Sequence, residues 1–319
     1  MLSLTVALGT GILTGCSESK PFMEYDEVKG LSAFSVNTAM SGRAEAYTDN
    51  ICVVTKDEES VPETEAGRDV YASAALFDVS DSSTLYSMNV YEQLYPASLT
   101  KVMTAILAMK YSQKDDIITC SENVKISEAG AQVCGLVAGD KITMDQAMHG
   151  LLMYSGNDAA VAIAESISGT TEEFADLMNK EAAKIGATHT HFVNPNGLHD
   201  DDHYTTAYDM YLIFNEAIKY DWFKEIINKN TYTTTYETAV GDQKEVTWNT
   251  TNLYLKGDKA APEGVTIIGG KTGTTNAALN NLILLSKDNS GREYISIVMK
   301  SKQRDMLYEK MSSILDIIQ

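Results

Sequence analysis

The chain has 319 residues, 44% of them hydrophobic and 22% charged, a balance ordinary for a globular protein and enough for one large core or two subdomains sharing a cleft. Its 25 basic and 44 acidic residues leave a net charge of −19 with no basic stripe, which argues against recognition of nucleic-acid phosphate. Charge of this kind bears on solubility and says nothing about fold.

Residues 1–15 carry no charge and end Leu13-Thr14-Gly15-Cys16, an apolar stretch too short to span a bilayer comfortably. Residues 17–46 are polar without a sustained period and read as a tether. Ile51-Cys52-Val53-Val54-Thr55 reads as a short strand, followed by an acidic, turn-like stretch at 57–67, so that the strand docks from outside on the domain that follows. Residues 72–79 and 84–88 are the two strands of a hairpin. Tyr95-Pro96-Ala97-Ser98-Leu99-Thr100-Lys101 then opens a helix, where the missing N–H of Pro96 costs nothing. Val102, Met103, Ala105, Ile106, Leu107, Ala108 and Met109 surround that helix on nearly all sides, which predicts burial. It ends near 111–114, and residues 116–142 are irregular, punctuated by Gly130, Gly135 and Gly139.

Thr143-Met144-Asp145-Gln146 matches a capping box and predicts a helix reaching Tyr154. Ser155-Gly156-Asn157 breaks it, and Asp158 is placed to cap a further helix over 159–167, stopped by Gly169. A second box, Thr170 to Glu173, opens a helix bearing Phe174, Leu177, Met178 and Ile185, with Gly186 just past its end. Residues 206–218 are amphipathic and helical. The period then falls to two at 231–236 and 246–250, and strand signals continue at 265–269, 281–286 and 293–299. Asp288-Asn289-Ser290-Gly291 turns the last pair into a hairpin. From Asp305 a helix carries Met306, Leu307, Met311, Ile314, Leu315 and Ile318 inward. These changes of period support an α+β fold class and nothing finer.

Four cysteines occur, Cys16, Cys52, Cys120 and Cys134; Cys120 and Cys134 either pair or remain two buried thiols. His199-Asp200-Asp201-Asp202-His203 offers no third ligand at fixed spacing and reads as a solvated loop, as do His189 and His191. No metal or other cofactor is expected.

Three stretches carry chemistry. Ser98 and Lys101 lie three apart, so they share a helix face. A hydroxyl becomes a nucleophile when a base takes its proton, and a buried lysine can lose its charge and be that base. Taken singly, the pair is a buried serine beside a snorkelling lysine, Ser155-Gly156-Asn157 is a capped turn, and Lys271-Thr272-Gly273-Thr274 is the end of a strand. In this order and at this separation they resemble the penicillin-recognising serine acyl-transferases, whose signature is Ser-x-x-Lys, Ser-x-Asn and Lys-Thr-Gly. The resemblance is most specific to the serine-type D-Ala-D-Ala carboxypeptidases, the low-molecular-mass penicillin-binding proteins. It runs from about residue 72 to the C-terminus, with Asn194-Pro195-Asn196-Gly197-Leu198-His199 as a fourth segment.

That resemblance implies a β-lactamase/transpeptidase-like α+β fold over 47–319, an antiparallel sheet flanked by helices with an inserted, mostly helical lobe. Ser98 would be the nucleophile, its N–H and that of Thr274 forming an oxyanion hole. Lys101 would be the base, its pKa lowered by burial and by Lys271. Ser155 would relay a proton to the leaving amine and Asn157 would orient the substrate amide. Lys271, Thr272, Gly273 and Thr274 would hold a free carboxylate, which favours an exopeptidase. The implied partners are peptidoglycan stem peptides ending in D-Ala-D-Ala, with β-lactams as covalent inhibitors.

Residues 1–16 resemble a bacterial lipoprotein signal with Cys16 as the lipidated residue, although no Lys or Arg precedes the apolar run. The expected location is the outer face of the cell membrane, or secretion. The second β domain and amphipathic C-terminal anchor of many such enzymes find no counterpart after the last helix, and a lipid at Cys16 would supply the attachment. The competing readings are a β-lactamase-like enzyme and a silent binder of penicillin or wall peptide. No Glu-x-x-x-Asn segment follows Ser155-Gly156-Asn157 to hold a deacylating water, which disfavours the first.

Overall fold

The computed structural model describes residues 51–54 and 70–318, all within the unit Ala46–Gln319. The leader at 1–15, Cys16, the tether at 17–46 and the acidic stretch at 57–67 lie outside the described residues. Strands β1 (Ser73–Asp78) and β2 (Ser83–Met88) form the first hairpin. A 3-10 turn, Ala97–Thr100, leads directly into α1 (Lys101–Tyr111). Two three-residue strands, β3 (Ile117–Thr119) and β4 (Lys141–Thr143), bracket a long irregular stretch. Next come α2 (Met144–His149), a π-helical turn at Gly150–Tyr154, α3 (Asn157–Ser168) and α4 (Thr171–Ile185). Helices α5 (Ala207–Ala217) and α6 (Asp221–Ile227) precede the hairpin β5 (Thr231–Glu237) and β6 (Gln243–Asn249). The short α7 (Leu253–Lys256) is followed by β7 (Thr266–Thr275), β8 (Leu279–Lys287), β9 (Glu293–Ser301) and α8 (Arg304–Leu315).

The main sheet is antiparallel in the order β2-β1-β9-β8-β7, so the first hairpin joins the last three strands and the helical lobe is inserted between them. Alternation sorts its side chains. Ala75, Phe77, Ile283, Leu285, Ile295 and Ile297 face the core shared with α1 and the lobe. Ala74, Leu76, Leu282, Leu284 and Val298 face Leu307, Tyr308, Met311, Ile314 and Leu315 of α8. Helix α1 is buried on every side from Lys101 to Ala108, as its unbroken apolar run predicts.

A second antiparallel sheet, β3-β4-β5-β6, was not expected, because three-residue strands show no period. Its hairpin β5–β6 carries Tyr236 and Trp248 inward and rows of threonine outward. The capping box at Thr143 and Gln146 closes as read, and Thr170 and Thr206 each accept from the backbone N–H three residues on.

Two expectations are corrected, the strand at 51–55 and the Asp158 cap, and the alternative left open for the cysteines is decided. Residues 51–54 form no strand and join no sheet. They dock through tyrosine hydroxyls: Tyr211 accepts from the Cys52 N–H at 2.8 Å, and Tyr208 and Tyr91 donate to the carbonyls of Cys52 and Val54, each at 2.9 Å. Cys52, Cys120 and Cys134 are free, buried thiols. Asp158 does not cap α3, whose N-cap is Gly156. Its carboxylate faces the preceding loop instead, accepting from the N–H groups of Cys134, Gly135 and Leu136 at 2.8–3.0 Å.

Candidate active site

The 3-10 turn at Ala97–Thr100 buries Ala97, Leu99 and Thr100 and leaves Ser98 half-exposed at the floor of a cleft. Ala97 has φ of +49°, a left-handed conformation that an alanine adopts only when its surroundings impose it. Part of that imposition comes from Gly197, where a Cβ would fall 1.9 Å from the Ala97 carbonyl oxygen. The turn 194–197 therefore presses directly on the residue before the serine.

Lys101 begins α1 and has no exposed surface. Its Nζ lies 2.9 Å from Ser98 Oγ, 2.8 Å from Asn157 Oδ1 and 2.5 Å from the Asn196 carbonyl oxygen. Burial pushes this ammonium well below its ordinary range, and the charge of Lys271 pushes it further in the same direction. The sequence read Asn194-Pro195-Asn196-Gly197 chiefly as a turn; the structure makes the Asn196 carbonyl a partner of the lysine. Thr104 Oγ1 donates to the Pro195 carbonyl at 2.6 Å, anchoring the same turn to α1.

Ser155 ends the π-helical turn in the left-handed region, φ of +67°, which swings its hydroxyl toward the main sheet. π-turns occur frequently at functional positions because the extra residue re-aims the backbone. Lys271 Nζ, on β7, donates to Ser155 Oγ at 2.9 Å and to the Thr272 carbonyl at 2.7 Å. Burial alone brings Lys271 down to about 7. Asn157, the first residue of α3, is held by Gln132, whose carbonyl accepts from the Asn157 backbone N–H at 2.9 Å and from Nδ2 at 3.0 Å. One amide side chain thus binds both Lys101 and the far wall of the cleft.

Lys271-Thr272-Gly273-Thr274 was read as following a strand; it lies within β7, the edge strand of the main sheet. Gly273 faces the 3-10 turn so closely that a Cβ would lie 3.1 Å from the Ser98 nitrogen. The cleft, of about 410 Å³, is lined by Ser98, Ser155, Asn157, Thr272, Gly273 and Thr274, with Arg304 among the residues of its wall. Lys101 and Lys271 lie behind this wall, 0% and 1% exposed. Arg304, whose guanidinium donates to the Thr251 carbonyl, was not singled out in the sequence. An arginine opening a surface helix carries no local signal of a cleft.

His203 was placed in a solvated loop, yet it is 2% exposed. Its Nδ1 accepts from the Val193 N–H at 3.1 Å, so the tautomer carries its proton on Nε2, which faces Thr100 Oγ1 at 2.8 Å. Burial lowers its pKa to about 4.

The geometry can be set beside known proteins. The sequence profile of the D-alanyl-D-alanine carboxypeptidase family, peptidase S11, matches residues 58–303. D-alanyl-D-alanine carboxypeptidase DacF of Bacillus subtilis is 42% identical over 169 residues, 52% of this chain and 42% of the relative. DacC of Escherichia coli, with the same description, is 29% identical over 249 residues, 75% of this chain and 59% of the relative. The chain spans about half the length of the curated relatives it matches. Among solved structures, a Streptomyces DD-transpeptidase superposes with a TM-score of 0.71 at 25% identity, over 78% of this chain and 96% of that one. Penicillin binding protein 5 from Haemophilus influenzae gives 0.68 at 25% identity, over 77% and 70%.

Proposed function

The chain belongs to the D-alanyl-D-alanine carboxypeptidase family, and from that premise we propose that it removes the terminal D-alanine from peptidoglycan stem peptides through an acyl-enzyme on Ser98. The observation that carries this reading is the environment of Lys101. A neutral amine has two N–H bonds and one lone pair. Asn157 Oδ1 and the Asn196 carbonyl are acceptors for the two N–H bonds, which leaves the lone pair for the Ser98 hydroxyl 2.9 Å away.

In the proposed cycle, Ser98 Oγ attacks the carbonyl carbon of the penultimate residue as its proton passes to Lys101 Nζ. The developing oxyanion is held by the N–H groups of Ser98 and Thr274. Ser155, hydrogen-bonded to Lys271, passes its proton to the departing amine as the C–N bond breaks and is reprotonated by Lys101, which thereby gives up the proton taken from Ser98. Water then cleaves the ester and restores the serine. Thr272, Thr274 and the guanidinium of Arg304 are the cleft groups suited to a terminal carboxylate, and the second N–H of Asn157 Nδ2 is suited to the substrate carbonyl. A β-lactam presents a carboxylate and an acyl bond in the same relation, and would acylate Ser98 in the same way.

A fluorescent penicillin should label the protein, and Ser98→Ala should abolish labelling. Incubation with a diacyl-Lys-D-Ala-D-Ala peptide should release D-alanine. Labelling without release would replace the carboxypeptidase reading with that of a binding protein. We further propose that Cys16 is lipidated and holds the enzyme on the outer face of the cell membrane; absence of fatty-acid label on Cys16 would overturn that attachment.

A further inference from the structure

Asn281 lies on β8, directly opposite Gly273 of β7. Paired residues on neighbouring strands direct their side chains to the same face of a sheet. On this face Gly273 has no side chain and lets the turn bearing Ser98 approach, while Asn281 reaches across to that turn. Its Nδ2 donates to the carbonyls of Tyr95 and Pro96, both at 3.0 Å, and its Oδ1 accepts from the Lys300 N–H at 2.7 Å. The residue is 1% exposed, uncharged, and stands at the cleft wall with its amide turned to the backbone.

The two ends of this bridge are the places where the backbone is strained. Ala97, one residue past Pro96, has φ of +49°, and Lys300 has φ of +57°. The β8–β9 register shifts at this point, between Asn280 and Leu282. Alanine and lysine are disfavoured in the left-handed region and persist there only where neighbours over-determine them. Asn281 supplies three hydrogen bonds to those two segments. We infer that Asn281 is a positioning residue for the oxyanion hole: it fixes the peptide planes before Ser98 so that the Ser98 N–H stays aligned with the Thr274 N–H on the adjacent strand.

This inference rests on the acyl-transfer reading of Ser98. It makes a demand that a merely structural asparagine does not. Affinity for a tetrahedral adduct depends on the oxyanion hole, whereas the first, non-covalent encounter with a ligand does not. Asn281→Ala, Asn281→Ser and Asn281→Asp are therefore compared with wild type in three measurements. These are the acylation rate constant by fluorescent penicillin per labelled site, the non-covalent binding constant of the same penicillin, and the inhibition constant of an N-acyl-D-boroalanine, which forms a tetrahedral adduct with a serine.

Alanine and serine should lower the acylation rate constant about tenfold, and aspartate, which turns an oxygen toward two carbonyls, about a hundredfold. The boronate should weaken by the same factor in each variant while non-covalent binding changes less than twofold. Rates per labelled site are independent of the unfolded fraction, so a loss of stability does not imitate this result, and the serine and alanine variants serve if the aspartate variant does not fold. Acylation and boronate affinity both unchanged in a folded variant, or a change confined to non-covalent binding, would overturn the inference. A wild-type protein that takes no penicillin label overturns the acyl-transfer reading itself.

Discussion

Two residues show how burial sets protonation. The proposed cycle requires a neutral Lys101 to accept the Ser98 proton, and desolvation followed by the nearby Lys271 charge drives the amine that way. Lys101→Ala should lower penicillin acylation by about a hundredfold or more, the usual contribution of a general base. Lys271→Ala should move the acid limb of the acylation–pH profile to higher pH, since one of the influences holding Lys101 neutral is gone; an unmoved limb would exclude that coupling. His203 concerns stability instead. Its folded pKa of about 4 lies below the ordinary 6.5, so the unfolded chain binds the proton more readily. Its contribution is present in full above about pH 6.5 and is lost as pH falls toward 4, on the order of 3 kcal/mol in all. Urea unfolding at several pH values should show this slope in wild type and a shallower one in His203→Gln. Ser98 and Lys101 were legible because three residues along a helix is a contact distance. The Asn196 carbonyl was not, because a backbone oxygen has the same identity at every position.

At the scale of elements, the site is a joint between a 3-10 turn, a π-helical turn, an edge strand and the loop at 194–204. Gly197 shows how tight that joint is: φ of +81° disfavours any side chain, and a Cβ would also strike the Ala97 carbonyl. Gly197→Ala should cost about 3 kcal/mol or more and depress acylation in whatever fraction folds, measured by denaturant unfolding and active-site titration. Asp158 does comparable work on the opposite wall by gathering three consecutive N–H groups at 134–136. An asparagine there retains one acceptor oxygen and turns an NH2 toward a donor. Asp158→Asn should destabilise by about 2–4 kcal/mol, and near-neutrality in thermal unfolding would show that water can replace the carboxylate. The long helices and the last three strands were legible from period and caps. Strands β3 and β4 and helices α6 and α7 were not, since short segments take their conformation from what they pack against.

At the scale of the whole molecule, a net charge of −19 has a measurable consequence. Self-repulsion opposes the compact state and is screened by salt, so the melting temperature should rise between about 0.02 and about 0.3 M sodium chloride; a fall would mean that specific ion pairs outweigh it. The main sheet joins strands from both ends of the described chain, and its two faces bury separate apolar clusters. The chain by itself determined the α+β class, the buried helix, and the identity and order of the motif residues, because hydrophobic period and side-chain chemistry are properties of local sequence. Only the folded structure decided that Lys101 has three partners, that Lys271 lies behind the cleft wall on Ser155, and that Arg304 and Asn281 attend the site. Those facts depend on strand register and on the close approach of segments up to 186 residues apart, and such distances follow from packing the whole core.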